Sequence, residues 1–287
     1  MKSSNLIKTS MTVIAVIALS VGNAHAEKCP LVPDEAFSLD NIETAELLED
    51  GQFAKAEAAL EKQHRKNLAS EGGDLLTVRD MVELRQLGLQ DENLIRMRAD
   101  QRPKSFFAQY NAGLFYFNQA GAARGSQTIS QTHSSQLENM SKLNKTSIDY
   151  LQKAMKLDPR SALPHALLIG IAAREKQAAG KTAEQWLQTA NQVDPKNLAA
   201  RIQAVGFMDP RWGGSFELLD KMVEQARKPL SAQTAHYLQY NLVLAKAEHE
   251  EVVTGNKAKA HELYKKGKGM CENSTAAQKG IVRTYQK

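Results

Sequence analysis

The sequence predicts an all-α fold, an α-solenoid of degenerate helical hairpins, and three observations predict it. Apolar residues recur at helical spacing almost everywhere after residue 38. Glycine and proline, 17 and 8 in a chain of 287 residues, fall mostly between the periodic segments rather than inside them. A pattern also returns. Tyr150-x3-Ala154-x2-Leu157-Asp158-Pro159 comes back as Trp186-x3-Ala190-x2-Val193-Asp194-Pro195, and Gly170 is matched by Gly206 at the same offset. The β-branched alternation that marks strands is missing.

The first 26 residues read as an export signal. Lys2 and Lys8 form a positive start, MTVIAVIALSV (11 to 21) a short apolar run, and Ala24-His25-Ala26 a small-x-small cleavage site. That run is about half the roughly 20 residues a membrane-spanning helix needs. The expected product begins at Glu27 and is periplasmic or secreted. Cys29 follows Lys28, not the small residue that lipid attachment expects. A short leading segment then covers 27 to 39, and one helical-repeat domain covers 40 to 287.

The spacing predicts helices over 40–50 and 53–69, joined in Leu47-x3-Gly51-x-Phe53-x2-Ala56-x3-Leu60. Gly51 supplies the turn and Ala56 the close approach. Helices over 75–87, 91–100 and 104–120 follow, divided by Glu71-Gly72-Gly73 and Arg102-Pro103. Within FFAQYNAGLFYF (106 to 117), Phe106, Tyr110, Leu114 and Phe117 share a face, while Phe107, Phe115 and Tyr116 spread outside it. A helix apolar nearly all round belongs between neighbours. The alternative makes Phe107 and Tyr116 exposed anchors of a peptide groove.

A polar stretch, GAARGSQTISQTHSS (121 to 135), precedes Ser135-x2-Glu138, a capping box for a long helix ending at Leu157. The apolar stripe of that helix is Leu137, Met140, Ile148, Leu151 and Met155, interrupted by Asn144. Further helices are expected over 161–178, 182–193, 196–208, 215–228, 232–254, 257–266 and 274–285. Each Asp-Pro pair closes one helix and opens the next, because proline suits a first turn and lacks the donor an interior needs. In KAKAHELYKKGKG (257 to 269) the lysines complement a helix C-terminus that Gly267 would end. Contact with an anionic surface is the other reading.

The charge balance, 37 Lys and Arg against 32 Asp and Glu, is too even for a nucleic-acid binder, which concentrates positive charge on one face. Catalytic motifs are missing. His249-Glu250 has no second histidine four residues on, and AAGKT (178 to 182) follows a helix and lacks the first glycine of a phosphate loop. Gly180 and Thr182 serve better as a helix stop and a helix cap. The histidines at 64, 133, 165, 236, 249 and 261 show no ligand spacing, so no metal or cofactor is expected. Carboxylate clusters such as Glu46-Glu49-Asp50 and Glu248-Glu250-Glu251 sit on polar helical faces, where they are solvated.

Two cysteines, Cys29 and Cys271, stand at opposite ends. Export permits a disulfide, and closing so long a loop would contribute roughly 5 kcal/mol. An extended array argues against it, since a bridge needs Cα atoms within about 7 Å, although an N-terminal tail folding back would connect them.

The segment FMDPRWGGSFELL (207 to 219) admits two readings. As a corner, Pro210 stops a helix, Gly213-Gly214 reverses the chain, and Ser215 caps a helix whose stripe is Phe216, Leu219, Met222, Val223 and Ala226. Trp212 then closes the core, with the Arg211 guanidinium stacked on it or capping carbonyls. As a site, Gly-Gly-Ser would offer free amides to an anion, and Arg211 with Arg124 would add forks for carboxylate or phosphate.

Two resemblances follow from these residues. The small residue five positions before Pro159 and Pro195 resembles the tetratricopeptide repeat, a helical hairpin of about 34 residues. Ala123-Arg124-Gly125, Leu157-Asp158-Pro159 and Pro210-Arg211-Trp212-Gly213-Gly214-Ser215 together resemble a bacterial tetratricopeptide-like family, domain of unknown function 4034, over roughly residues 103 to 225. The resemblance implies a helical-repeat fold and no established reaction. The function expected is a non-catalytic, exported binding or scaffolding module that holds a protein or peptide partner in cell-envelope assembly or secretion. The alternative is a receptor for a small anionic or envelope-derived ligand at Arg124, Arg211 and Trp212. A third reading is a hydrolase built on carboxylates.

Overall fold

The computed structural model describes residues 39–87, 91–127, 129–176 and 178–285. Over them the chain forms thirteen α-helices and no strand. They are α1 (Leu39–Glu49), α2 (Phe53–Asn67), α3 (Gly73–Gln86), α4 (Glu92–Gln101), α5 (Phe106–Arg124), α6 (Ser134–Leu157) and α7 (Leu163–Arg174). There follow α8 (Ala183–Val193), α9 (Ala199–Phe207), α10 (Phe216–Ala226), α11 (Ala232–Val252), α12 (Lys257–Met270) and α13 (Thr275–Thr284). No helix among the described residues is long and apolar enough to cross a membrane.

Side-chain oxygens start most of these helices, each accepting one of the amides a first turn leaves unpaired. Asp91, Ser105, Thr182, Ser215, Ser231, Asn256 and Ser274 all do so. Two starts and stops differ from the sequence reading. α6 begins at Ser134, and Gln136 rather than Glu138 reaches back, its Oε1 accepting the His133 N–H at 3.2 Å. α12 does not stop at Gly267 but runs to Met270. Gly267 is there for proximity, since a Cβ on it would lie 2.9 Å from Leu244 Cδ2.

Helices pack on their chain neighbours and on the helix after next. α5 lies against α6 and α7, α7 against α8 and α9, and α11 against α12 and α13. The helices between layers are apolar all round, as a sandwiched helix must be. In α7, Leu163 through Ala172 are all buried, and so is every residue of α9. Burial of that apolar surface, at about 25 cal/mol per Å², is the main term holding the stack together.

The repeated sequence is a repeated corner. At Asp158 and Asp194 the backbone turns extended (φ/ψ −132/92 and −140/101), and each N–H still donates to the carbonyl four back, Ala154 at 3.0 Å and Ala190 at 2.9 Å. The residue three further on, Ser161 or Asn197, then donates to the Asp carbonyl. Both carboxylates accept a backbone N–H two residues ahead, at Arg160 and Lys196. The same corner occurs twice more where no Asp-Pro marks it. Arg102 N–H donates to Arg98 and Cys271 N–H to Gly267, answered by Ser105 and Ser274.

Two acidic residues just before and within α3 tie the early helices to much later ones. The buried Asp74 carboxylate accepts the N–H groups of Leu198 and Ala199, both at 2.7 Å, and so caps α9 from 124 residues away. Burial pushes the Asp74 carboxyl up to about 6, against the lowering effect of the backbone amides of Ala199, Leu198 and Leu75. Glu71 accepts from Ser231 N–H at 2.9 Å and from Thr234 Oγ1 at 2.9 Å, at the start of α11. Burial raises the Glu71 pKa, but those bonds outweigh it and hold the carboxyl below its ordinary range.

Candidate functional site

The Pro-Arg-Trp-Gly-Gly-Ser segment joins α9 to α10 and lies against the last residues of α5 and α9. α9 ends at Phe207, and Asp209 caps a single 3-10 turn, Pro210–Trp212. Gly213 is left-handed at φ 83, and a Cβ on Gly214 would stand 1.9 Å from the Met208 carbonyl oxygen. The glycines are therefore set by the backbone. The same turn stands between α2 and α3, where Gly72 has φ 78 and a Cβ on Gly73 would stand 1.8 Å from the Asn67 carbonyl oxygen. That second copy carries neither an arginine nor a tryptophan.

Two features read from the sequence as anion ligands are otherwise engaged. The Gly213 and Gly214 amides donate to the carbonyls of Pro210 and Asp209, and Leu218 N–H is taken by Ser215 Oγ. Arg211 is clamped: Nε and Nη2 both reach Asp209 Oδ2 at 2.7 Å, and Nη1 lies 3.8 Å from Glu248. Burial works against its charge, but the Asp209 bond and charge and the Glu248 charge hold the Arg211 pKa above its ordinary value. Asp209 itself is 0% exposed. Arg211 thus locks the turn, and it does not stack on Trp212.

The residue over Trp212 is Arg124. Its guanidinium carbon lies 5.0 Å from the ring centroid. The two segments behind the family resemblance therefore meet in space. Gly125, at φ 71, lets the chain leave α5 there, and Arg124 Nη1 donates to the carbonyls of Gly125 and Gln127, both at 3.1 Å. Trp212 leans on Phe207 with centroids 5.5 Å apart. Beneath it lies a second arginine that the sequence reading passed over. Arg174, the last residue of α7, lies 4.1 Å from the Phe117 centroid and 5.5 Å from that of Phe207.

Arg174 is in an unusual position for a cation. Its Nε donates to the Gly170 carbonyl at 3.2 Å, but Nη2 is buried with no partner. Burial, then the nearby Arg124 charge, push its pKa down to about 9; Glu175 opposes them. The Glu175 carboxylate is bonded elsewhere, to Ser141 Oγ at 2.7 Å and Asn144 Nδ2 at 3.0 Å. Lys176 adds a third positive group, its Nζ 3.8 Å from where a Gly213 Cβ would be. Among the described residues, ion pairs join Arg211 to Asp209 and Glu248 and none joins Arg124, Arg174 or Lys176 to a carboxylate.

The other named residues fall elsewhere. Phe107 is 4% exposed, edge-on to His64, and Tyr116 is 5% exposed, stacked on Tyr150 with its hydroxyl donating to Glu92. Neither can grip a ligand from the surface, because α5 is enclosed by α4, α6 and α7. Cys271 is buried against Tyr240 and is disulfide-bonded; Cys29 and the whole of residues 1–26 lie outside the described residues. Among the described residues no group of three His, Cys, Asp or Glu is arranged to hold a metal.

No curated protein matches this chain. The family profile described as domain of unknown function (DUF4034) matches it twice, over residues 41–174 and 157–242. The matches reach from α1 into α11, beyond both ends of the sequence resemblance, and their overlap, 157–174, runs from the Leu157-Asp158-Pro159 corner through α7. The chain belongs to the domain of unknown function 4034 family.

Proposed function

We propose that this is an exported, tetratricopeptide-like binding module that holds a protein or peptide partner in the cell envelope and performs no chemistry of its own. The observation that carries the reading is the corner repeated at Arg102, Asp158, Asp194 and Cys271. It fits a chain of two-helix units, each burying its apolar side on the next, which is how helical arrays build extended binding surfaces. The packing of α1 on α3, α5 on α7, α7 on α9, α9 on α11 and α11 on α13 supports the same arrangement.

The partner's place differs from the inner groove that Phe107 and Tyr116 suggested. The faces of α5, α7 and α9 are filled, and α3 packs across to α9. Recognition therefore falls to outward faces and to the helix ends. The test is capture from envelope extract, with the chain purified after cleavage at the proposed site before Glu27. A single protein recovered in stoichiometric amount supports the reading, and no stoichiometric partner under native salt counts against it. N-terminal sequencing of the exported chain checks the leader, and any start other than Glu27 revises it.

A further inference from the structure

We infer that Arg124, Arg174 and Lys176, set beside the Trp212–Phe207 pair, form a binding site for a doubly charged oxyanion, either a phosphate group or a dicarboxylate. The inference goes beyond the partner-binding reading and does not depend on it. Arg124 and Arg174 lie close enough for the charge of one to act on the other, Lys176 Nζ lies beside Gly213 next to Trp212, and no carboxylate among the described residues pairs with any of the three, although the neighbouring Arg211 has two. Like charges brought together are unfavourable unless something neutralises them. A buried guanidinium nitrogen without a partner is unfavourable as well, because the water it gave up is not replaced.

The fold has a carboxylate at hand and does not use it. Glu175 adjoins Arg174 in sequence but is turned to Ser141 and Asn144. The aromatic rings of Phe117, Phe207 and Trp212 orient both guanidiniums by their faces; Arg124 Nη1 and Arg174 Nε are bonded to carbonyls, and Arg174 Nη2 is left without a partner. Edge-on N–H pairs suit the paired oxygens of carboxylate or phosphate. Lys176 adds a third charge to those of Arg124 and Arg174, and this excess favours a divalent ligand over acetate or chloride.

The experiment titrates the purified full chain with inorganic phosphate and, separately, with succinate, by calorimetry at ionic strength matched with sodium chloride. Saturable binding of either probe is expected, and the one that binds names the class. Arg124→Gln and Lys176→Gln each weaken it by about tenfold, the worth of one charge-assisted bond, while the distant Lys266→Gln does not. Arg174→Met supplies a readout that a merely structural arginine would not give. It abolishes binding while holding or raising the melting temperature, because an apolar chain of similar size replaces an unsatisfied buried charge. Absence of saturation with both probes up to about 100-fold above a typical micromolar affinity overturns the inference, as does binding that all three site variants leave unchanged. A chain that captures a protein yet binds neither anion refutes this site alone.

Discussion

Replacing Asp74 by asparagine should remove a pH dependence that runs opposite to ordinary acid denaturation. In the folded chain burial lifts this carboxyl to about 6 from the ordinary aspartate value of 3.8. The native state therefore holds the proton more tightly than the unfolded chain does. The stability linked to this proton is fully present below the unfolded value and is lost as pH rises through the folded one. The gap corresponds to about 3 kcal/mol, nearly undiscounted because the residue is only 6% exposed. Asparagine keeps one carbonyl oxygen for the Leu198 and Ala199 amides and loses the acceptor facing Leu75, at about 1 kcal/mol.

The assay is urea unfolding of both proteins from about pH 4 to about pH 7, with the difference in unfolding free energy plotted against pH. Wild type should be the more stable at the acid end by about 1 kcal/mol, and the difference should move against it by about 2 kcal/mol toward neutrality, about pH 4 lying already just above the unfolded value. A flat difference, or one that grows with pH, would refute the reasoning: the amide bonds and the dipole of α9 would then be outweighing desolvation.

Other expectations follow from the same contacts. Gly214→Ala should lower stability by at least about 2 kcal/mol, because its Cβ meets the Met208 carbonyl oxygen, whereas Gly213→Ala loses only the ~1 kcal/mol of a left-handed backbone; thermal melts compare them. Arg98→Ala should remove about 3–5 kcal/mol by leaving the buried Glu57 carboxylate without the guanidinium that reaches it at 2.6 Å, and an equal loss from an exposed pair such as Lys221–Glu217 would argue against that account. Cys271→Ser should destabilise the chain by up to roughly 5 kcal/mol, and the unreduced denatured protein should show no free thiol with Ellman's reagent.

The helices were legible because their signals are local. An apolar period, a cap such as Ser215 or Thr182, and a proline after Asp158 or Asp194 each act within one or two turns. Gly267 misled because its small size answers to Leu244 on another helix, not to its own backbone. The meeting of Arg124 with Trp212 was half legible. Both were named, but stacking on Trp212 or capping of carbonyls was expected of Arg211, whereas Arg124 does both, since adjacency in sequence says nothing about a turn that sends Arg211 to Asp209. Arg174 gave one faint signal: a lone cation closing LPHALLIGIAAR, an otherwise apolar helix whose length leaves no polar face to hold it. The Asp74 and Glu71 clamps gave none, because their partners lie 124 and 160 residues away.

Those clamps bear on the order in which the polypeptide can mature. A piecemeal array would let each hairpin settle as soon as it emerged, first come, first settled. Here the hairpins nearest the start cannot finish until residues near 198 and 234 arrive to close over them. A nascent chain threaded from its beginning would stay pliable for most of its passage and then consolidate late, in one cooperative step.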